Sequence, residues 1–141
     1  MTAPTAGTPE RSFLAFDFGL KRVGVATGNT VFGQASPLTT IAAEGAARFD
    51  RIAQLIDEWQ PDALVVGIPF HPDGAPHDNT QRAQRFARQL HGRFRLAVHE
   101  VDERYTTTEA LSDGARDADA AAAAIILDQF FRNPPIDPTR A

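Results

Sequence analysis

SFLAFDFGLKRVGVATG, residues 12–28, decides how this chain folds. SFLAFDF (12–18) alternates along its length yet carries large residues on both faces, the pattern of a strand in the interior of a sheet. Gly19 to Arg22 is suited to a tight turn, and VGVATG (23–28) then returns as an antiparallel partner. A third strand follows at Gln34 to Ile41. From Gly45 to Gln60, Phe49, Ile52, Ala53, Ile56 and Trp59 recur at helical spacing until Pro61 ends the run. ALVVGI (63–68) is a short, continuously apolar strand stopped by Pro69, and PFHPDGAPHD is a loop by composition. Ala83, Phe86, Ala87 and Leu90 mark the apolar face of a second helix, with Gly92 suited to the position after its end. RLAVHEV (95–101) is the next strand. The capping-box spacing of Thr106 and Glu109 predicts a helix after DERYT, and a last helix runs from about Asp117 to Arg132.

The resulting order, β-β-β-α-β-α-β-α-α, gives an α/β fold in which helices cover a mixed sheet, the order of an RNase H-like domain. A doubly wound parallel sheet is the competitor, but it does not open on a two-strand hairpin. Residues 1–11 and 133–141 are rich in Pro, Thr and Ala and read as tails, leaving one domain at 12–132.

A chain of 141 residues, 43% of them hydrophobic, holds one core and needs no disulfide or structural metal to fold. The absence of cysteine excludes thiol catalysis and Cys-based zinc sites, and fits a reducing, cytoplasmic setting. The opening MTAPTAGTPER carries no apolar h-region, and no stretch approaches roughly 18 continuous apolar residues, so neither a signal peptide nor a membrane span is expected. A net charge of −4 argues mildly against a nucleic-acid partner, but an acidic cluster that holds metal ions lowers the total in the same way. Lys21 is the sole lysine; every other fixed positive charge is arginine.

Three acids stand out by position. Asp17 shares a strand face with Phe13 and Ala15, where an ionised carboxylate is costly unless it is paired, hydrogen-bonded or metal-bound. Its bland alternative is a strand end that accepts hydrogen bonds from the glycine turn. Glu103, within Asp102-Glu103-Arg104, lies at a strand exit, where a sheet holds side chains firmly but leaves them reachable; a surface pair with Arg104 is the alternative. At 100° per residue Asp119 falls in line with Ala122, Ala123, Ile126 and Phe130, aimed at the sheet unless it serves as the helix N-cap. Asp128 and Asp117 fall off that stripe, with Asp128 on the solvated side. Gly19 allows close backbone approach to a phosphate, with Lys21 and Arg22 beside it. Arg82, Arg85 and Arg88 lie off the apolar face of their helix and read as a solvated surface. The four histidines show no H-x-x-x-H pairing, so oxygen-bound Mg²⁺ or Mn²⁺ is expected rather than zinc.

Taken together, FDFGLKRVGVA, the SPLTTI stretch, VVGIPFHPDG, VDERYTT and DADAAAAAIILDQFF resemble the YqgF/RuvX family, pre-16S rRNA nucleases related to Holliday junction resolvases. The resemblance implies an RNase H-like, metal-dependent nuclease that trims the 5′ end of precursor 16S rRNA. It also implies Asp17, Glu103 and Asp119 as catalytic metal ligands, with Gly19, Lys21, Arg22 and Arg104 at the substrate. LSDGARDA, before Asp119, is shorter and less basic than the family's usual segment. The alternative substrate is branched DNA, which requires two sites and hence a dimer; monomer and dimer both stay open. A non-catalytic phosphate binder is a third reading, since DFGLKRVGVA also resembles the first phosphate loop of actin-like ATPases, but those need a second such loop and domain.

Overall fold

The computed structural model describes residues 11–103 and 117–132. Residues 1–10 and 133–141 of the expected tails, Arg104, and the helix expected after DERYT lie outside the described residues. The elements are β1 (Ser12–Asp17), β2 (Val23–Asn29), β3 (Gln34–Ile41), α1 (Gly45–Trp59), β4 (Ala63–Ile68), α2 (Thr80–Phe94), β5 (Ala97–Asp102) and α3 (Ala118–Arg132). The five strands form one sheet in the order β3-β2-β1-β4-β5. β1 pairs antiparallel with β2 and parallel with β4, and β4 pairs parallel with β5, so the opening hairpin and the mixed sheet are both present.

Strand alternation divides the core into two layers. Leu14 and Phe16 of β1 join Leu64, Val66 and Ile68 of β4 under α1 and α2. Phe13, Ala15, Ala63 and Val65 point the other way and are covered by α3. The α3 layer is built largely of alanine, with Phe13 meeting Phe130 edge-to-face at 5.1 Å. Such small side chains bring the helix backbone close to the strands, and that closeness shapes the site described below. At the opposite end of the sheet, one Asp62 carboxylate oxygen accepts the Arg11 and Ser12 N–H groups at 2.8 and 2.9 Å and fixes where β1 begins.

Three expectations need correction. The α1 stripe is Arg48, Phe49, Ile52 and Leu55, whereas Ala53 is exposed and Trp59 is 42% exposed. The helix is therefore rotated away from the predicted phase, because Leu55 rather than Trp59 reaches the core. α2 runs through Gly92 to Phe94, and the left-handed residue that ends it is Arg95, with φ 59°. Asp128 is not on a solvated face: its carboxylate accepts the Ala35 N–H of β3 at 2.9 Å. An α3 that reaches as far as β3 carries its flank within reach of that edge strand.

Candidate active site

Asp17 is the last residue of β1, on the odd-numbered face that α3 covers. Its neighbours in register are glycines on both sides, Gly24 on β2 and Gly67 on β4. Each glycine makes room for a different visitor. A Cβ built on Gly24 would overlap the backbone carbonyl of Asp119, so the first turn of α3 rests directly on β2. A Cβ on Gly67 would stand 2.7 Å from the Glu103 carboxyl and 2.5 Å from the Ile126 side chain. Glu103, one residue past β5, thus lays its side chain over β4 toward Asp17.

The two carboxyl groups share a hydrogen bond, in which protonated Glu103 donates to Asp17. Burial first, then the Asp17 charge and this hydrogen bond, push the Glu103 carboxyl up to about 8. Burial also raises Asp17, opposed by the hydrogen bond from Glu103 and assisted by the charge of Asp119. At neutral pH the pair therefore holds one proton between two carboxylates.

Asp119 lies in the first turn of α3, where the helix dipole favours an acid. It is not the cap. Asp117 fills that role, accepting the Ala120 N–H at 3.1 Å and the Thr40 hydroxyl of β3. With the cap supplied, the Asp119 carboxylate is available to the site, and it pairs with Arg22 Nε at 3.2 Å. Among the described residues, no three carboxylate or imidazole groups already share one position for an ion. Asp17 and Glu103 are in contact; Asp119 is close enough to act on Asp17 but is held by Arg22.

The turn that carries Arg22 is anchored from beneath. Arg48 of α1, 5% exposed, donates to the Leu20 carbonyl at 3.0 Å and to the Ala43 carbonyl at 2.8 Å, with its guanidinium over the Phe18 ring. Burial lowers the Arg48 pKa, opposed by the charge of Glu44, and the two carbonyl bonds of this arginine fix the turn's height above the sheet. Gly19 sits where a Cβ would lie 2.5 Å from the Arg22 carbonyl, and Lys21 and Arg22 are exposed at the mouth.

The family model described as "RuvX: Holliday junction resolvase" matches residues 11–133. The chain belongs to the RuvX family. Relatives named "Putative pre-16S rRNA nuclease" include a protein of Albidiferax ferrireducens, 70% identical over 123 residues, covering 87% of this chain and 79% of that protein. Another, from a Polaromonas species, is 66% identical over 131 residues, covering 93% and 94%. Among solved structures, T. thermophilus RuvC in complex with a Holliday junction substrate superimposes with a TM-score of 0.53 at 14% identity, covering 86% of this chain and 93% of that one. This likeness is one of fold, and the fold is RNase H-like.

Within the RuvX chain, sequence reasoning missed the roles of Arg48, Gly24 and Gly67, and set Asp117 aside as lying off the apolar stripe of its helix. A signal existed for Gly67: one glycine inside an otherwise bulky buried strand marks a close approach. Arg48 gave none, since a charged residue beside Phe49 is ordinary on a helix.

The proton on Glu103 has a measurable consequence. An acid whose pKa rises from 4.5 in the unfolded chain to about 8 in the folded one binds more protons when folded across that interval. Stability is therefore highest below the lower value and falls as pH climbs through the window, by a few kcal/mol. In a chelator-containing buffer, denaturant titrations from pH 5 to 8.5 are expected to show this decline, and Glu103→Gln is expected to flatten it. A decline unchanged by Glu103→Gln would assign the proton to another group.

Proposed function

We propose that the chain is a divalent-metal-dependent nuclease that trims the 5′ end of precursor 16S rRNA in the cytoplasm. The observation that carries this reading is the Asp17–Glu103 pair, two half-buried carboxyls held in contact with Asp119 beside them. Its donors are all carboxylate oxygens, the type that hard cations prefer. Burial, with neighbouring negative charge adding to it, raises both acids, and a bound cation would offset both effects. Family membership and the names of the relatives support the substrate.

On this reading Asp17, Glu103 and Asp119 hold Mg²⁺ or Mn²⁺. When bound, the metal supplies the Lewis acidity that activates water and stabilises the leaving oxygen of a phosphodiester. To serve as a ligand Glu103 would have to lose its proton to solvent. Arg22, which neutralises Asp119 in the free protein, turns to the scissile phosphate and releases that carboxylate. Gly19 admits the phosphate close to the backbone, Lys21 adds charge, and Arg48 keeps the turn at a fixed height while this exchange occurs. Arg104 is assigned to the substrate from the resemblance alone.

The purified chain with Mn²⁺ is expected to cut a model precursor at its 5′ side faster than a four-way DNA junction. Faster cutting of the junction, with paired symmetric incisions, would transfer the function to branched DNA. Adding either cation to metal-free protein is expected to raise Tm by several degrees, and the same addition to Asp17→Asn to raise it less.

A further inference from the structure

The α2 helix carries four arginines, Arg82, Arg85, Arg88 and Arg93, and no acidic residue, in a chain whose net charge is −4. By contrast α1 mixes Arg48 and Arg51 with Asp50, Asp57 and Glu58. Arg82, Arg85 and Arg88 repeat at three-residue intervals, so each faces the next along one exposed flank, where like charges repel. Arg82 also stands in the first turn, where the helix dipole disfavours a cation and no acid offsets it. Among the described residues none of the three has a carboxylate within ion-pair distance. Among the described residues Arg82 bonds only to the Asn79 side chain at 3.1 Å and to the Asp78 carbonyl at 3.4 Å. A solvated helix surface gains nothing from this arrangement, whereas a polyanion lying on it would.

The placement fits such a partner. Thr80, 2% exposed, donates its hydroxyl to the Pro69 carbonyl and accepts the His77 N–H at 2.7 Å, which fixes the start of α2 to the end of β4. Pro69 is two residues from Gly67, over which Glu103 lies. The arginine row therefore begins at the end of β4 beside Gly67, on the face of the sheet opposite α3, and recedes from that end along the helix in axial steps of about 4.5 Å. A groove of about 430 Å³ runs along it, lined among the described residues by Gln81, Arg82, Gln84, Arg85 and Arg88.

We infer that Arg82, Arg85 and Arg88 form a docking track for the sugar–phosphate backbone of the RNA that flanks the cut. The inference rests on the proposed nuclease reading and adds the surface that holds the substrate outside the acids. The track supplies phosphate contacts and no base reading, so it sets affinity and leaves the chemical step to the carboxylates.

The test compares the full chain with the triple variant Arg82→Gln, Arg85→Gln, Arg88→Gln, and with a control triple, Arg11→Gln, Arg51→Gln, Arg132→Gln, which removes equal charge elsewhere. Fluorescence anisotropy with a labelled precursor RNA is read across a salt series in Ca²⁺, and single-turnover cleavage in Mn²⁺. For the track variant, Kd is expected to rise at least about tenfold near 0.1 M salt, and the slope of log Kd against log salt to fall by about two. Cleavage at saturating RNA should stay within twofold of wild type. Tm should hold or rise, since repulsion has been removed; the control triple should bind nearly as wild type. An unchanged slope, an equal loss in the control, a fall in Tm with loss of cleavage at saturation, or an effect on junction DNA but not on RNA would each overturn the track. Failure of the wild type itself to bind and cut RNA would instead remove the nuclease reading on which the track rests.

Discussion

Asp17→Asn is expected to fold, to gain stability and to lose nearly all cleavage. The carboxylate it replaces lies beside two other acids, with its ionised form penalised by burial and by the Asp119 charge. Asparagine has nearly the same shape, carries no charge, and its amide oxygen still accepts the hydrogen bond from Glu103. Removing this half-buried anion should raise Tm, most clearly above neutral pH where wild type must bear the full charge. On the proposed reading, the same change removes a ligand from the centre of the set. Cation and substrate positioning supply several kcal/mol of transition-state stabilisation, so kcat is expected to fall by about a thousandfold. Single-turnover cleavage, with Tm measured on the same preparations, gives both readouts. A variant that is more stable and equally active would remove Asp17 from the chemistry; one that unfolds would make its role structural.

The second large effect falls on a residue with no side chain. Gly24→Ala places a methyl group inside the carbonyl of Asp119, which belongs to helix backbone and has no rotamer to change. Relief requires lifting α3 from β2, which strips cover from Ala26, Ala123 and Leu127 and carries Asp119 outward. A loss of about 3 kcal/mol or more is expected, roughly 10 °C in Tm, with activity lost as well. Gly67→Ala makes the informative contrast. Its methyl meets the ends of two flexible side chains, Glu103 and Ile126, which move at a cost of about 1 kcal/mol. Glu103 is then displaced from Asp17, so cleavage should fall about a hundredfold in a protein that remains folded. If Gly24→Ala were as mild as Gly67→Ala, the close seating of α3 on β2 would be wrong.

The strand pattern was legible because burial on both faces leaves large residues at consecutive positions, and an opening hairpin excludes a wholly parallel sheet. Asp17 and Asp119 could be placed by period alone: one shares a strand face with Phe13, the other a helix stripe with Ala123 and Ile126. Contacts that depend on what lies across the sheet were not legible. Asp128 looked solvated because helical phase says nothing of an edge strand beside the helix. Gly24 and Gly67 gain their meaning from register with Asp17, which periodicity does not supply. Arg48 looked like surface charge because the carbonyls that hold it belong to Leu20 and Ala43, outside its own helix.

The bond from Ala35 to Asp128 also bears on how copies of the chain could associate. β3 forms one margin of the sheet, and an open margin invites a foreign strand to extend the ladder. Here the Ala35 donor is already taken by α3, and Pro37, two residues along, has no N–H to offer. An incoming chain would find two successive rungs missing. Self-association by strand addition, whether as a functional pair or as the first step of aggregation, is thereby discouraged along β3.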